Sequence, residues 1–568
     1  MKKSSSVKQL FSIFTLFIFI GILYTYPLAF NLSSMLPGSG QSDTPLSVWN
    51  IWHLKKAIFS DHNFFKFDTN YIFYPQKPSL ILHNYTIVTG LMSLPFQYFF
   101  TPIVSRNLIF FIQFALTGLG MYLLVLYFTN NKIASLWAGI TLAFCPYVII
   151  RSYNYFHFST IWFFPCFIYF LWRFLNSGGL KFSVLAAIIY ALCLLNDQTY
   201  FVFLTILMIF TIVFFFLEKH KLPSIKNSII GLSVFLILTL PYLIGLASKI
   251  IAKEASSHIW PDICIDYFSL HIHNLFRPSP ILSLYREIPY INVPMKHVTN
   301  VFAGYIPLFF AAFALVNLKN ISHEKRKIII FWLITGALFF LLALGPYCFG
   351  KDQSLNKFSL YNLLCSGLLR QIRIPVRFSL VTLVAIYIIA SFGVERFTKL
   401  NKQNLLNNKN LCLFLVLLQI AEFLPIPYPL LSLKTPEIYY KLASQNTNSP
   451  ILVLPLGWQS SYKTVGIYDK KIQFHQTIHG HPIFQGQIAR IEDSYFDYYT
   501  QQDGFRYLID ANKRLPTSSE TKGVHNILRT YGIKNVVIHN SYFDSVHLNI
   551  LLEIFKDYPG ELTVEFAT

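Results

Sequence analysis

Long runs of mostly apolar residues recur along this chain, and most are long enough to form a helix that crosses a lipid bilayer. We place eleven of them, at residues 9–30, 104–128, 132–150, 158–175, 181–196, 198–217, 227–248, 302–318, 327–345, 377–395 and 410–425. Only 13% of the 568 residues are charged, about half the usual share in soluble domains. So few charged residues could not cover the surface of a soluble protein of this size. The sequence therefore predicts an α-helical polytopic membrane protein.

The charges between these runs predict the orientation of the chain. With the N-terminus in the cytoplasm, every short loop on that side carries a cation, from Lys132 in the first to Lys409 in the last. The net charge of +20 then reflects these loops and contact with anionic lipid headgroups rather than a nucleic-acid partner. The first run has no small-residue cleavage site, so we expect an uncleaved span. The short stretch 86–101 contains Gly90 and Pro95 and would reverse the orientation if it crossed, so we interpret it as interfacial or re-entrant.

Three long loops, at residues 31–103, 249–301 and 346–376, then lie outside the cytoplasm together with the region from about residue 430. That region has a mixed polar composition, with strand-like runs at 451–454 and 535–538 and a helix-like stretch from Ser519 to Tyr531 before Gly532. We predict a polytopic membrane domain over residues 1–429 and a small extracytoplasmic α/β domain over residues 430–568. Cys348 and Cys365 share one external loop and could pair or remain free thiols.

The first external loop contains the strongest candidate for chemistry. Asp43 follows the first span by a few residues, and an amphipathic segment with Trp49 and Trp52 follows it; we expect these indole rings at headgroup level. A carboxylate held just above the bilayer can act as a general base on a lipid-linked substrate. Alternatively, Asp43 is a helix N-cap, since an Asp before Thr44 and Pro45 is typical of a helix start.

Three arginines before or at the start of the tenth span, Arg370, Arg373 and Arg377, are candidates for phosphate binding. A guanidinium near a helix N-terminus suits a phosphate, whereas the alternative is that these side chains snorkel to the membrane boundary. Asp197 and His157 lie between spans on the same predicted side, and each is either a substrate contact or a satisfied interfacial polar residue.

Three histidines of the C-terminal region, His475, His479 and His481, could suggest a metal site. We expect strand or loop there, no carboxylate has matching spacing, and ordinary polar residues are the favoured interpretation.

Short motifs are spread along most of the chain. They are Asp43 to Trp49, Asn63-Phe64-Phe65, Tyr74-Pro75, Leu82-His83-Asn84, Cys145-Pro146-Tyr147, His157, Trp162 to Pro165, Asn196-Asp197-Gln198-Thr199-Tyr200, Gly345-Pro346, Arg373-Ile374-Pro375-Val376-Arg377-Phe378, Leu454-Pro455-Leu456 and Gln476-Thr477-Ile478-His479-Gly480. Together they resemble bacterial membrane glycosyltransferases of the GT-C superfamily, relatives of the protein O-mannosyltransferases and the aminoarabinose transferases of lipid A. The motif from Arg373 to Phe378 is the most distinctive.

The resemblance implies a transferase that moves a sugar from a polyprenyl-phosphate donor to an unspecified acceptor at the outer face of a bacterial inner membrane, with inversion. Asp43 would be the catalytic or metal-associated carboxylate. The substrate-binding residues would be Arg370, Arg373, Arg377, Asp197, His157 and His83. No cofactor is predicted with certainty, and a divalent metal is left open.

One departure from the resemblance bears on activity. Relatives often carry a Glu near the end of the second long external loop, whereas His297 to Tyr305 contains no acid. Either the base function rests on Asp43 alone, or the chain has lost catalysis and is a membrane scaffold. A lipid-linked glycan transporter or flippase is the other alternative, but it would place ionisable residues in mid-membrane, whereas the candidates here cluster at one face.

Overall fold

The computed structural model describes residues 7–40, 42–62, 67–219, 223–251, 265, 268–287, 300–346, 356, 358–364, 372–400, 407–445 and 449–567. The chain divides into two compact units. The first unit consists of Met1–Ser42, Asn107–Leu240 and Ile259–Leu431, and the second of Asp43–Arg106, Pro241–His258 and Ser432–Thr568. The predicted boundary near residue 430 falls at the end of the first unit, while the second unit also takes in parts of the first two long loops.

Helices dominate the chain before residue 430. They are α1 (Val7–Tyr24), α2 (Thr44–Phe59), α3 (Ile87–Phe99), α4 (Pro102–Thr129), α5 (Lys132–Ala143), α6 (Pro146–Asn154), α7 (Phe163–Ser177), α8 (Leu180–Asn196), α9 (Gln198–Lys219), α10 (Ile225–Ile251), α11 (Tyr305–Val316), α12 (His323–Ala343), α13 (Leu360–Leu364), α14 (Ser379–Leu400) and α15 (Asn408–Phe423). Two short strands, β1 (Met35–Pro37) and β2 (Leu430–Ser432), accompany them.

Within the described ranges, eight helical segments are long and apolar enough to cross a membrane. Three of these segments each consist of two consecutive helical elements: Lys132–Asn154, Phe156–Ser177 and Pro375–Leu400. The other three predicted spans coincide with the shorter helices α8, α11 and α15, of 17, 12 and 16 residues. Every predicted span therefore corresponds to a helix, and the predicted multi-pass helical fold is confirmed.

Helix α14 forms the core of the first unit and is almost entirely buried. It approaches α11 so closely at Gly393 that a Cβ there would overlap the carbonyl oxygen of Phe310. Only glycine allows this approach between the two backbones. A 3₁₀ turn, Pro375–Phe378, leads into α14, and its proline lies at the first position, where a missing N–H costs no hydrogen bond.

The second unit combines sheets and helices. Its remaining elements are β3 (Ile451–Leu454), β4 (Gly457–Gln459), β5 (Thr464–Gly466), β6 (Gly486–Gln487), β7 (Asn535–His539) and β8 (Thr563–Ala567), with α16 (Glu437–Ala443), α17 (Lys470–His479), α18 (Asp493–Thr500), α19 (Asp503–Ile509), α20 (Ser518–Thr530) and α21 (Ser545–Lys556). Strands β3, β7 and β8 form a parallel sheet in that order, and β5, β4 and β6 form a second sheet. The two strands and the helix predicted from the sequence, β3, β7 and α20, are confirmed.

Two predictions about the second unit are wrong. His475 and His479 lie on helix α17 and not on a strand or loop, because Asp469 caps the helix start and Gly480 ends it with a φ of +72°. Trp49 and Trp52 are buried rather than lying at headgroup level, because α2 packs its indole side against other parts of the second unit.

The stretch 86–101, predicted to be interfacial or re-entrant, forms helix α3, whose exposed side chains include Tyr98 and Phe99.

Candidate functional site

Asp43 occupies the N-cap position of α2 but its side chain makes no capping hydrogen bond. Its Oδ1 lies 2.5 Å from the ammonium Nζ of Lys470, at the start of α17. The Asp43 side chain is 28% exposed, so the carboxylate is both paired and accessible. The simple N-cap interpretation therefore does not account for this carboxylate.

Two neutral side chains lie beside this ion pair. The Gln473 carbonyl Oε1 accepts a hydrogen bond from the Tyr468 hydroxyl at 2.8 Å and from the backbone N–H of Gln487 at 2.9 Å. Burial raises the pKa of Tyr468 well above its usual range, and the negative charge of Asp43 raises it further. We call Asp43, Lys470, Tyr468 and Gln473 the Asp43 group.

The amide of Gln473 has a fixed orientation. Because the N–H of Gln487 can only be accepted by an oxygen, the amide cannot be flipped, and its NH₂ points away from Gln487. This buried NH₂ finds no hydrogen-bond partner among the described residues. The Asp43 group thus combines a partly exposed carboxylate, which could accept a proton, with a fully buried amide.

Buried hydrogen bonds hold α2 in place behind Asp43. The Trp49 indole N–H donates to Gln476 Oε1 at 2.7 Å, and Gln476 Nε2 donates to the carbonyl of His481 at 2.9 Å. The Trp49 ring also stacks on His53, with ring centroids 4.8 Å apart. These contacts fix the orientation of the helix that begins at Asp43.

His83 connects the first loop to the C-terminal part of the second unit. The backbone N–H of Ala489 donates to its Nδ1 at 3.2 Å, so the ring proton resides on Nε2, which lies 3.3 Å from Asn50 Oδ1. Burial lowers the pKa of His83 to about 4. The predicted substrate role of His83 stays a prediction, while the structure gives both ring nitrogens protein partners.

The residues around Asp43 do not fit a metal site. Lys470 places an ammonium where a bound cation would pair with the carboxylate. Among the described residues, no group of three or more His, Cys, Asp or Glu side chains could hold a metal ion. We therefore derive no step through a metal.

Asp197 lies in the first unit between α8 and α9. Its Oδ1 accepts the N–H of Tyr200 at 2.8 Å, so Asp197 caps the start of α9. Burial raises the pKa of Asp197 to about 6, against the opposing effects of the Tyr200 amide and the nearby guanidinium of Arg377. The predicted candidates Asp197 and Arg377 are thus neighbours.

Aromatic side chains surround this carboxylate and guanidinium. The Arg377 guanidinium lies 3.7 Å from the centroid of the Phe158 ring, and the Tyr200 hydroxyl donates to the Phe158 carbonyl at 2.7 Å. A second arginine, Arg151 on α6, is 1% exposed and lies 4.8 Å from the ring centroid of Tyr147. The Tyr147 hydroxyl lies 3.2 Å from the Tyr200 hydroxyl, so the two arginines are linked through these aromatic side chains. We call Asp197, Arg377, Arg151, Tyr147, Tyr200 and Phe158 the Asp197 group.

The remaining residues singled out from the sequence belong to neither of these two groups. His157 precedes Phe158, is buried, and has its ring 3.9 Å from the Phe158 ring. Arg373 is half-buried just before the 3₁₀ turn that carries Arg377. Arg370, Cys348 and Cys365 lie outside the described residues.

An acid does reach the Gly304–Tyr305 step, although the second loop supplies none there. Glu422, near the end of α15, accepts the backbone N–H groups of Tyr305 at 2.5 Å and Ile306 at 3.2 Å through Oε1. Gln419 donates to its other oxygen at 3.3 Å. Glu422 therefore caps the start of α11, and no sequence motif pointed to it.

Sequence reasoning also missed Lys470, Gln473 and Arg151. Lys470 is 427 residues from Asp43, so no local pattern could connect them. Arg151 did leave a signal, because it is an arginine at the end of an apolar run that contains the motif Cys145-Pro146-Tyr147.

No family model and no curated protein matches the chain. Among solved structures, it is similar to the apo crystal structure of the Archaeoglobus fulgidus oligosaccharyltransferase at 13% identity and a TM-score of 0.46, covering 94% of this chain and 69% of that one. It is also similar to the oligosaccharyltransferase AglB from Archaeoglobus fulgidus in complex with an inhibitory peptide and a dolichol-phosphate, at 12% identity and a TM-score of 0.44, covering 93% and 69%. Because both TM-scores lie below 0.5, the function is inferred from the residues of this chain alone.

Proposed function

We propose that this multi-pass membrane protein is a glycosyltransferase of the GT-C type. It moves a sugar from a polyprenyl-phosphate donor to an acceptor hydroxyl at the outer face of a bacterial plasma membrane, with the N-terminus in the cytoplasm and the C-terminal domain outside. The observation that carries the proposal is the state of Asp43, a partly exposed carboxylate at a helix start that makes no capping bond and pairs with Lys470. Such a carboxylate is available to a substrate hydroxyl.

Asp43 acts as the general base. Its free oxygen accepts the proton of the acceptor hydroxyl while the hydroxyl oxygen forms a bond to the anomeric carbon. The bond between that carbon and the phosphate oxygen breaks, and the phosphate leaves with the electron pair. Because the nucleophile enters opposite the leaving group, the anomeric centre is inverted. Lys470 orients the carboxylate through the ion pair.

We propose that the Asp197 group binds phosphate. Its two guanidinium groups, on Arg377 and Arg151, offer planar pairs of N–H donors that match phosphate oxygens. Asp197 holds the start of α9 and faces Arg377, and so positions that guanidinium. Arg373, Arg370 and His157 are proposed as further substrate contacts.

The test is transfer from a panel of radiolabelled polyprenyl-phosphate sugars by the purified protein in nanodiscs. Asp43→Asn keeps the volume of the side chain and removes its basicity, so transfer should fall by roughly 10²–10⁴-fold with an unchanged unfolding temperature. Asp544→Asn is the matched control, since Asp544 is a true cap of α21 that accepts the N–H of His547, and it should keep wild-type transfer. An Asp43→Asn variant that retains more than half of wild-type transfer would remove Asp43 from the mechanism.

A further inference from the structure

A groove of about 360 Å³ opens in the first unit between α1, α4, α5 and α15. Apolar side chains line most of it, and polar side chains line the part where α1 and α5 begin. The lining residues are Gln9, Ser12, Ile13, Leu16, Tyr122, Lys132, Ile133, Leu136 and Cys412. None of them belongs to the Asp43 group or the Asp197 group.

The polar end of the groove is positively charged. Three helices start there, and each carries a lysine in its first turn: Lys8 on α1, Lys132 on α5 and Lys409 on α15. The described first turns of these helices contain no acidic residue. The partial positive charges of three helix N-termini add to the lysine charges. An anionic group at this end is therefore favoured over a neutral one.

The flanks of the groove carry exposed apolar side chains. Phe11 on α1 is 70% exposed and Leu413 on α15 is 57% exposed, and both helices belong to a multi-pass membrane protein. On a membrane-spanning helix, apolar side chains with this exposure suit contact with acyl chains. The occupant of the groove must accordingly combine an apolar chain with an anionic head.

We propose that this groove binds one acyl chain of an anionic phospholipid, with the headgroup phosphate held by Lys132 and attracted by Lys8 and Lys409. With the orientation predicted from the loop charges, the lipid belongs to the cytoplasmic leaflet. It is distinct from the sugar donor, which is used at the opposite face. The site does not depend on the proposed transferase activity.

Native mass spectrometry of the detergent-purified full chain with equimolar phosphatidylglycerol and phosphatidylcholine measures this binding directly. The wild type should retain one phosphatidylglycerol in preference to phosphatidylcholine. Leu136→Trp fills the groove and should abolish that preference. Lys132→Gln removes one charge near the headgroup and should weaken phosphatidylglycerol binding about fivefold.

Lys319→Gln is the matched control, because Lys319 is another exposed lysine that does not line the groove. It should leave phosphatidylglycerol binding unchanged. Equal retention of the two lipids by the wild type would overturn the proposal. Equal weakening by Lys132→Gln and Lys319→Gln would also overturn it, because it would mean that surface charge alone attracts the lipid. If Leu136→Trp fails to fold, the comparison of the two lysine variants decides.

Discussion

We expect the ion pair between Asp43 and Lys470 to affect transfer more than it affects the stability of the fold. Both side chains are about a quarter exposed, and ion pairs with this exposure stabilise a fold by about 1 kcal/mol or less. In the proposed mechanism, its larger effect is to hold one carboxylate oxygen in place and to leave the other for the acceptor hydroxyl. Loss of the pair should thus be seen in transfer before it is seen in stability.

Lys470→Gln tests this separation. We expect transfer to fall by roughly 10–100-fold, because the carboxylate loses its fixed orientation, while the unfolding temperature changes little. Lys470→Arg, which keeps a cation at the same place, should recover part of the activity. Wild-type transfer by Lys470→Gln would show that the ammonium does not position the base.

The phosphate role of Arg377 can be tested by comparing substitutions that differ in shape and charge. Arg377→Ala should raise the KM for the donor more than Arg377→Lys does, because lysine keeps the charge and loses the planar pair of donors. Initial rates over a range of donor concentrations measure this. If the Ala variants of Arg377 and Arg373 both work like the wild type, the arginines only snorkel to the membrane boundary.

Helix starts and ends explain which elements the sequence predicted well. Helix α20 was predicted because Gly532 follows its last turn, and β3 and β7 were predicted because their apolar runs are short and β-branched. Helix α17 was missed although Asp469 and Gly480 bracket it, because its polar histidines and glutamines hide the apolar period. Helix α2 was assigned to the membrane interface because its amphipathic pattern suits that position. The same pattern also suits a helix that packs against protein, which is what α2 does.

Glu422 on α15 caps the start of α11, 117 residues away along the chain. No local sequence pattern could reveal a contact at that separation. Glu422→Ala leaves two backbone N–H groups without an acceptor and should lower the free energy of unfolding by about 1–3 kcal/mol. Glu422→Gln retains an oxygen for the same N–H groups and should stay close to the wild type. Thermal unfolding in detergent measures both, and equal destabilisation by the two variants would assign the effect to the charge instead of the cap.

At the scale of the second unit, buried histidines couple stability to pH. Burial lowers the pKa of His83 to about 4 and those of His53 and His475 to about 3, whereas each would titrate near 6.5 in the unfolded chain. The unfolded state therefore binds more protons than the folded state, and stability that is present above pH 6.5 is lost as the pH falls towards 4. His83 alone would account for up to about 3 kcal/mol of this loss.

The measurement is the unfolding temperature of the full chain between pH 7.5 and pH 4.5. His83→Gln can still accept the N–H of Ala489, so we expect a modest loss at pH 7.5 and a shallower fall below pH 6.5 than in the wild type. A parallel fall in both proteins would mean that other groups, such as carboxylates, set the acid sensitivity.

At the scale of the whole molecule, the orientation in the membrane decides whether the proposed site can meet its donor. The first unit brings together helix ends that the loop charges assign to the cytoplasm: Lys325 on α12 lies 2.5 Å from Glu395 on α14 and donates to the carbonyl of Thr129, the last residue of α4, at 2.8 Å. Lys399, four residues after Glu395, pairs with the same carboxylate. These contacts bring the cationic ends of α12 and α14 together with the end of α4, as expected if this end of the unit lies in the cytoplasm.

Alkaline phosphatase fused after Thr568 should therefore be active and a fusion at Lys325 inactive, because alkaline phosphatase folds only outside the cytoplasm. The reverse pattern would turn Asp43 and the arginines towards the cytoplasm and overturn the assignment of the site.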